Sequence, residues 1–341
     1  MLNKHMITSD KNINLQLSIW LFIISFMVVA MILIGGTTRL TGSGLSMVEW
    51  RPFLGLLPPS SENDWLRIFA LYKLSPEYKQ INSWMTLSDF KLIFFWEYFH
   101  RVWGRLIGIL FLIPFLCFLL MKKMSFQIFF RSLIIFLLIC IQGILGWWMV
   151  KSGLSEVPYV SQYRLSIHLG MAFIILGITF WTALDLYEGP LRKIDFLDFI
   201  PLIFISITII AGTFVSGMGA GLVYNSFPYM GETIIPIEYG SLGLFDPFEN
   251  PVSAQFNHRI LAVLTLVIIF LYFINYINRY KLNFRILLMA FSILCQFMIG
   301  ILTLINSVPV HLGILHQFGG VILFLSALWL LHYPKFSYSL K

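Results

Sequence analysis

Charged residues are scarce in this chain of 341 residues, where Asp, Glu, Lys and Arg together make up only 11%. A soluble domain carries roughly 25% charged residues. Here hydrophobic residues reach 58% and the mean hydropathy is +0.84. The shortage excludes a soluble single domain, a disordered chain and a nucleic-acid-binding protein. The net charge of +7 is therefore interpreted as a signal of membrane topology, not as a basic surface for phosphates.

Cysteine is rare as well, and Cys117, Cys140 and Cys295 all lie inside apolar stretches. None of them lies in a connecting loop. The sequence therefore offers neither a disulfide framework nor a paired-cysteine metal site.

What the chain has in abundance is long apolar runs, and a membrane helix needs about 20 such residues. Eight runs qualify: 15–35, 94–120, 131–150, 163–184, 197–217, 254–277, 284–306 and 310–331. The first run is long and uniform, and no small-residue cleavage site follows it, so a cleaved signal peptide is not expected. The sequence predicts an all-α membrane protein with eight transmembrane helices.

Lys and Arg set the expected orientation, because cytoplasmic loops are enriched in them. Unbalanced clusters of them occur in the N-terminal tail, in three short loops and at the C-terminus, all on one side of the predicted spans, whereas those of the first outer loop are balanced by acidic residues. The stretch 217–257 on the other side has no Lys or Arg and four acidic residues. Both termini are predicted to be cytoplasmic, in a bacterial inner membrane.

The first outer loop, 36–92, is too long to be only a connector. Ser61 and Asp64 resemble a capping box, and apolar residues then recur with helical spacing through Trp65, Phe69 and Tyr72. Two interpretations stay open: a helix that lies over an outer site, or an interfacial helix with aromatic anchors.

The two halves of the chain resemble each other. Four motifs recur in the same order: His100-Arg101 with His258-Arg259, Gln142 and Gly146 with Gln296 and Gly300, His168 with His316, and Gly36-Thr37 with Gly212-Thr213. A repeat of four helices keeps its orientation, so the halves are related by an axis along the membrane normal. We predict two pseudo-symmetric four-helix bundles, residues 1–190 and 191–341.

Four histidines of this repeat, His100, His168, His258 and His316, fall at one depth near the outer ends of even-numbered spans. Ionisable residues within a membrane mark functional sites. Two facing pairs suit axial ligation of heme iron between helices, whereas zinc prefers four converging ligands. Histidines that only bond neighbouring helices are the competing interpretation. His311 faces another side of its helix and is left out.

The repeat is imperfect at Glu97, one turn before His100, because Gln255 occupies the matching position. A carboxylate there could accept a proton or stabilise positive charge on a substrate. It could instead pair with Arg101 or Arg105. Those arginines and the Arg259 of the second half could also bind heme propionates or simply reach the membrane interface.

Five segments carry a family resemblance. They are 35–46 (GGTTRLTGSGLS), 97–105 (EYFHRVWGR), 142–154 (QGILGWWMVKSGL), 256–259 (FNHR) and 316–317 (HQ). Together they resemble heme A synthase of the mitochondrial and alphaproteobacterial type, over nearly the whole chain. Some bacterial members carry cysteine pairs in their outer loops, and this chain has none.

The resemblance implies an oxidoreductase that converts the C8 methyl group of heme O to a formyl group, giving heme A for cytochrome oxidase. It implies a heme b cofactor on His258 and His316, the substrate heme on His100 and His168, and an essential Glu97. Expected partners are heme O, heme O synthase, an electron donor and membrane lipid, with a homo-oligomer left open. The alternative function is a bis-histidine two-heme cytochrome for quinol-linked electron transfer.

Overall fold

The computed structural model describes residues 11–49, 57–189 and 195–332, and over these residues the chain is helical without a β-strand. The helices are α1 Lys11–Leu40, α2 Glu62–Tyr72, α3 Pro76–Gln80, α4 Leu87–Leu120, α5 Phe126–Gly153, α6 Gln162–Glu188, α7 Phe196–Gly217, α8 Asp246–Glu249, α9 Pro251–Arg279, α10 Phe284–Ile305 and α11 Val310–Leu331. Within the described ranges, eight helices are long and apolar enough to cross a membrane. All eight predicted spans are thereby confirmed.

The largest difference from the predicted spans is at the start of α4, which begins at Leu87 rather than near residue 94. Thr86 caps this start, because its hydroxyl accepts from the Asp89 N–H, and its own backbone N–H donates to the Asp89 carboxylate at 2.9 Å. The additional turns carry the helix beyond the apolar run, and they provide the surface on which α2 packs.

The eight long helices form two rings of four. In the first ring α1 contacts α4 and α6, and α5 closes it by contacting both; in the second, α7, α9, α10 and α11 are arranged in the same way. This neighbour pattern fits the predicted pair of bundles. The rings meet through α1, α6, α7 and α11. At this seam the side-chain amide of Gln317 on α11 donates a hydrogen bond to the Ile32 carbonyl of α1 at 3.0 Å.

The core lies along this seam. Leu17 and Leu21 of α1, Leu176 of α6 and Val321 of α11 are completely shielded from solvent. In an apolar 18-residue stretch of α1, 50% of the residues are buried within the protein, compared with 17% in the corresponding stretches of α4, α5 and α9. The peripheral helices therefore leave apolar faces for lipid.

Arg39, at the last turn of α1, donates to the Ser216 carbonyl at 2.9 Å, so the C-terminal ends of α1 and α7 lie together. We call this end, from which the two long loops emerge, the loop end. The distribution of Lys and Arg predicts that the loop end faces the outer side of the membrane.

The opposite end carries a buried ion-pair network across both rings. Asp185 accepts from Arg131 at 2.5 Å and lies 3.0 Å from His332, while Glu188 accepts from Arg285 at 2.6 Å. Every charge in it has a partner, as buried charges require. His332 is thus a structural residue that joins α11 to α6 through Asp185.

The predicted loop helix exists as α2. Ser61 and Asp64 form the expected capping box, and Phe69 and Tyr72 are buried. Phe69 stacks on Phe90 of α4 with ring centroids 5.0 Å apart. The aromatic residues therefore face the protein, which favours a helix that covers the loop end over a lipid anchor.

Candidate functional site

The clearest pair of facing groups is His258 on α9 and His316 on α11. Their ring centroids are 6.4 Å apart and their planes are nearly perpendicular, at 89°. Two imidazoles bound through nitrogen to one metal at about 2 Å would have centroids about 6 Å apart. The pair therefore fits two axial ligands on a single iron.

A polar contact at Nδ1 restrains each ring of this pair. Nδ1 of His258 lies 3.1 Å from the Thr208 carbonyl oxygen, which can only accept, so Nδ1 carries the proton. That leaves Nε2 with a lone pair for a metal, as is usual for metal-bound histidine. The Gln296 amide lies against the other ring, with its Nε2 3.2 Å from Nδ1 of His316. A 180° rotation of this amide would present Oε1 as the acceptor for a proton on Nδ1, the tautomer that leaves Nε2 free for a metal.

The N-terminal pair, His100 on α4 and His168 on α6, is placed differently. Both Nδ1 atoms are buried, and neither has a hydrogen-bond partner among the described residues. Gln142, the counterpart of Gln296, donates instead to the His168 backbone carbonyl at 3.0 Å. Unpartnered buried polar atoms are costly unless a ligand satisfies them. These two rings are therefore available to a ligand and are less restrained than the C-terminal pair.

Each of the four rings points Cε1 at a glycine of an adjacent helix. A methyl group added there would lie 3.0 Å from Cε1 in three cases and 2.9 Å in the fourth, closer than ordinary contacts. The pairs are Gly35–His100, Gly146–His168, Gly212–His258 and Gly300–His316. At these four positions glycine leaves the space that the imidazole occupies.

The contacts also correct one detail of the predicted repeat. The residue equivalent to Gly212 is Gly35, because each faces the first histidine of its half. The sequence comparison had paired Gly36 with Gly212. Gly36 lies against the Gln317 amide, and Thr213, one residue after Gly212, lies against Ser166. Both of these contacts are at the seam between the rings.

Glu97 is 3% exposed and its carboxylate is fully occupied. Oε1 accepts from Arg101 at 2.5 Å, and Oε2 accepts from the Ser46 hydroxyl at 2.7 Å and the Met47 N–H at 2.8 Å. The ion pair that sequence reasoning held as an alternative is therefore present. The hydrogen bonds from Ser46 and Met47 tie the segment after α1 to α4, one helical turn before His100.

The matching position in the other half is neutral, as predicted. Gln255 is buried and donates to the Tyr224 carbonyl at 3.0 Å. Arg259 donates to the same carbonyl at 2.8 Å and to that of Ser226 at 2.9 Å. Both halves use this turn to hold a loop, but only the N-terminal half does so with a negative charge.

An open cleft lies between the loop segment and α4. Arg67, Arg101, Arg105 and Tyr98 are among the residues lining it. Arg101 already donates to Glu97 and to the Met47 carbonyl at 3.0 Å. The cleft is rich in guanidinium groups, which suit the carboxylates of a ligand.

No group of three or more His, Cys, Asp or Glu residues that could hold a metal ion occurs in the described ranges. His311 is exposed and lines a shallow apolar groove with Leu315 and Phe318, away from the facing rings.

Sequence reasoning missed two contributors. The Thr208 carbonyl is a backbone group, which no residue type announces. Glu77, on α3, is a buried carboxyl that acts on the same region as Glu97. The signal that could have found Glu77 is its place directly after the amphipathic helix.

The chain is similar over most of its length to a described family and to several relatives. A family described as cytochrome oxidase assembly protein (COX15-CtaA) matches residues 18–328. The heme A synthase of Nitrosospira multiformis is 42% identical over 335 residues, covering 93% of this chain and 92% of that protein. The heme A synthase of Pelagibacter ubique is 42% identical over 338 residues, covering 96% and 99%. That of Maricaulis maris is 41% identical over 319 residues, covering 91% and 93%.

Proposed function

This chain belongs to the COX15-CtaA family of cytochrome oxidase assembly proteins, and we propose that it is a heme A synthase. The reaction would oxidise the C8 methyl group of heme O to a formyl group, by successive hydroxylations and loss of water. The observation that carries the proposal is the presence of two histidine pairs, only one of which lies beneath a buried carboxylate. A pure electron carrier has no need of that carboxylate.

We assign heme b, the resident cofactor, to His258 and His316. The spacing of their rings supports this, and so do the two contacts at Nδ1, which hold each ring in one orientation. When bound, heme b supplies a one-electron redox centre between the electron donor and the substrate half. The protein's part is to keep both Nε2 atoms facing each other and unprotonated.

We assign the substrate heme to His100 and His168. A substrate site must release its product. A ring without a hydrogen bond at Nδ1 can turn away from iron at a lower cost in free energy. Both rings are also close enough to interact electrostatically. The arginines of the nearby cleft, Arg67, Arg101 and Arg105, would receive the propionates.

Glu97 is assigned as a fixed negative charge rather than as the base. Three donors occupy its oxygens, so a proton from the substrate would have to displace one of them. A preorganised charge can stabilise positive charge that develops on the substrate carbon without any rearrangement. Its position one turn from His100 directs it at the substrate half alone.

The remaining assignments concern location and partners. The eight helices fit a multi-pass protein of a bacterial membrane. We propose the inner membrane with both termini cytoplasmic and both heme sites toward the outer face. Heme O synthase would deliver the substrate, and the electron donor would act through heme b.

Pigment extraction tests the proposal. The chain is expressed in membranes that contain heme O, purified, and its non-covalent hemes are separated by chromatography. Heme b together with heme A, or a hydroxylated intermediate, is the expected result. Heme b alone, with heme O demonstrably present, would favour the two-heme electron-transfer cytochrome.

A further inference from the structure

Glu77 is a second buried carboxyl at the loop end, and its surroundings differ from those of Glu97. It lies on α3 and is 7% exposed. One donor reaches its side chain, the hydroxyl of Tyr72, at 2.9 Å from Oε2. Asn82 in turn donates to the Tyr72 oxygen at 2.9 Å. The carboxyl is thus held in place through a neutral chain of groups.

The charges that act on Glu77 come from two membrane helices. Arg39 of α1 and Glu97 of α4 both influence it, while Tyr72 of α2 contacts it directly. Burial raises the pKa of Glu77 to about 7; the negative charge of Glu97 adds to the rise, and the Tyr72 hydroxyl and Arg39 oppose it. Burial also raises the pKa of the Tyr72 hydroxyl, so Tyr72 remains a donor.

The two carboxyls therefore suit different tasks. Glu97 has three donors including a guanidinium, whereas Glu77 has one neutral donor and no ion pair at bonding distance among the described residues. A group that must take up and give back protons near neutral pH needs a balance between its two forms. Glu77 has that balance.

We propose that Glu77 is the proton-exchanging carboxyl of the substrate-heme half, passing protons between that half and the outer aqueous side beside the fixed charge of Glu97. The inference rests on the proposed function, because each oxidation step at the methyl carbon moves protons together with electrons. In each exchange an O–H bond of a protonated water breaks as an O–H bond forms at the Glu77 carboxylate. The Glu77 O–H bond then breaks as the proton passes to the next water molecule. Glu77 is a relay residue and contacts no reacting atom.

The decisive variant is Glu77→Gln, which keeps an oxygen acceptor for Tyr72 but cannot exchange protons. Infrared difference spectra recorded across pH on the purified protein should lose one carboxyl band that titrates near neutral pH. Heme A formation should fall roughly 100-fold with the neutral limb of its pH profile removed, as for loss of an acid–base group. Bound heme b should be unchanged.

The matched control is Glu62→Gln, an exposed acid at the start of α2, which should leave the band and the profile unchanged. Glu97→Gln should move the midpoint of the band to lower pH, since one negative charge is removed. Tyr72→Phe should move it to higher pH, and this second variant decides the matter if Glu77→Gln does not fold. An unchanged band in Glu77→Gln, or a pH profile like that of the parent, would overturn the proposal. The infrared result stands even if the chain forms no heme A, so failure of the proposed function remains distinguishable.

Discussion

Replacing Gln296 by Leu is the sharpest test of the cofactor assignment. Leu has a similar size and no polar atom, so the change removes the contact at 3.2 Å from Nδ1 of His316 and leaves the ring itself in place. The ring would then be free to rotate, because it would lose the side-chain contact that holds its orientation. We expect heme b to bind more weakly without a change of ligands.

The magnitude follows from the kind of contact removed. Loss of an outer partner of a metal-bound histidine typically weakens metal binding by about 10–100-fold. Since a factor of ten corresponds to about 1.4 kcal/mol, the expected loss is about 1.4 to 2.8 kcal/mol. His258 keeps its bond to the Thr208 carbonyl, so the effect should not reach the full loss of a ligand.

The assay is an equilibrium titration of heme-depleted protein with heme b, followed by the low-spin absorption band. A His100→Ala background confines binding to the C-terminal pair. Gln142→Leu is the matched control, because Gln142 contacts the backbone carbonyl of His168 rather than its ring. Equal weakening by the two substitutions, or unchanged affinity in Gln296→Leu, would refute the reasoning.

Three further predictions concern the other site residues. His258→Ala or His316→Ala should each abolish the low-spin heme b spectrum, while His311→Ala, at an exposed position, should retain it; a normal spectrum in either ligand variant contradicts the assignment. Glu97→Gln should retain that spectrum and abolish heme A formation, measured by pigment chromatography, and full activity would remove Glu97 from the mechanism. Glu77→Gln should change how the free energy of unfolding depends on pH. Because the folded protein raises the pKa of Glu77 from 4.5 to about 7, it binds the proton more tightly than the unfolded chain does. Wild-type stability should therefore fall as pH rises through this window, by at most about 3 kcal/mol. Thermal unfolding at pH 5 and pH 8 should show that the Gln variant lacks this loss, and an identical pH dependence would count against the raised pKa.

The membrane helices could be predicted because their signal is local. About 20 consecutive apolar residues suffice to identify each span, and the end of α11 was obtained to the residue. The start of α4 was missed because residues 87–93 continue the helix beyond the apolar run. The capping pair Thr86 and Asp89 was present in the sequence as the marker of that start.

The histidine pairs could be proposed from the sequence because each histidine has a counterpart at the equivalent position of the other half. Their support could not, since it depends on which atoms meet across helices. A glutamine at each equivalent position looks the same in sequence, yet Gln296 reaches a ring and Gln142 reaches a backbone carbonyl. The one-residue shift between Gly35 and Gly36 has the same origin, because both are glycine and only the contact with His100 distinguishes them.

Under the proposed assignment, two similar histidine pairs in one chain would have to retain one heme and release the other. Ring contacts offer a physical answer. Each intramolecular hydrogen bond contributes about 1 kcal/mol net, so the two contacts at His258 and His316 amount to about 2 kcal/mol that the N-terminal pair lacks. These contacts hold both C-terminal rings in one orientation before a heme binds, whereas the N-terminal rings would lose rotational freedom on binding. The same half has a neutral Gln255 where the other has Glu97, so the heme that is held firmly lies away from the charge, and the heme that can exchange lies beside it. Retention and reactivity are thus separated by a few contacts around otherwise equivalent ligands.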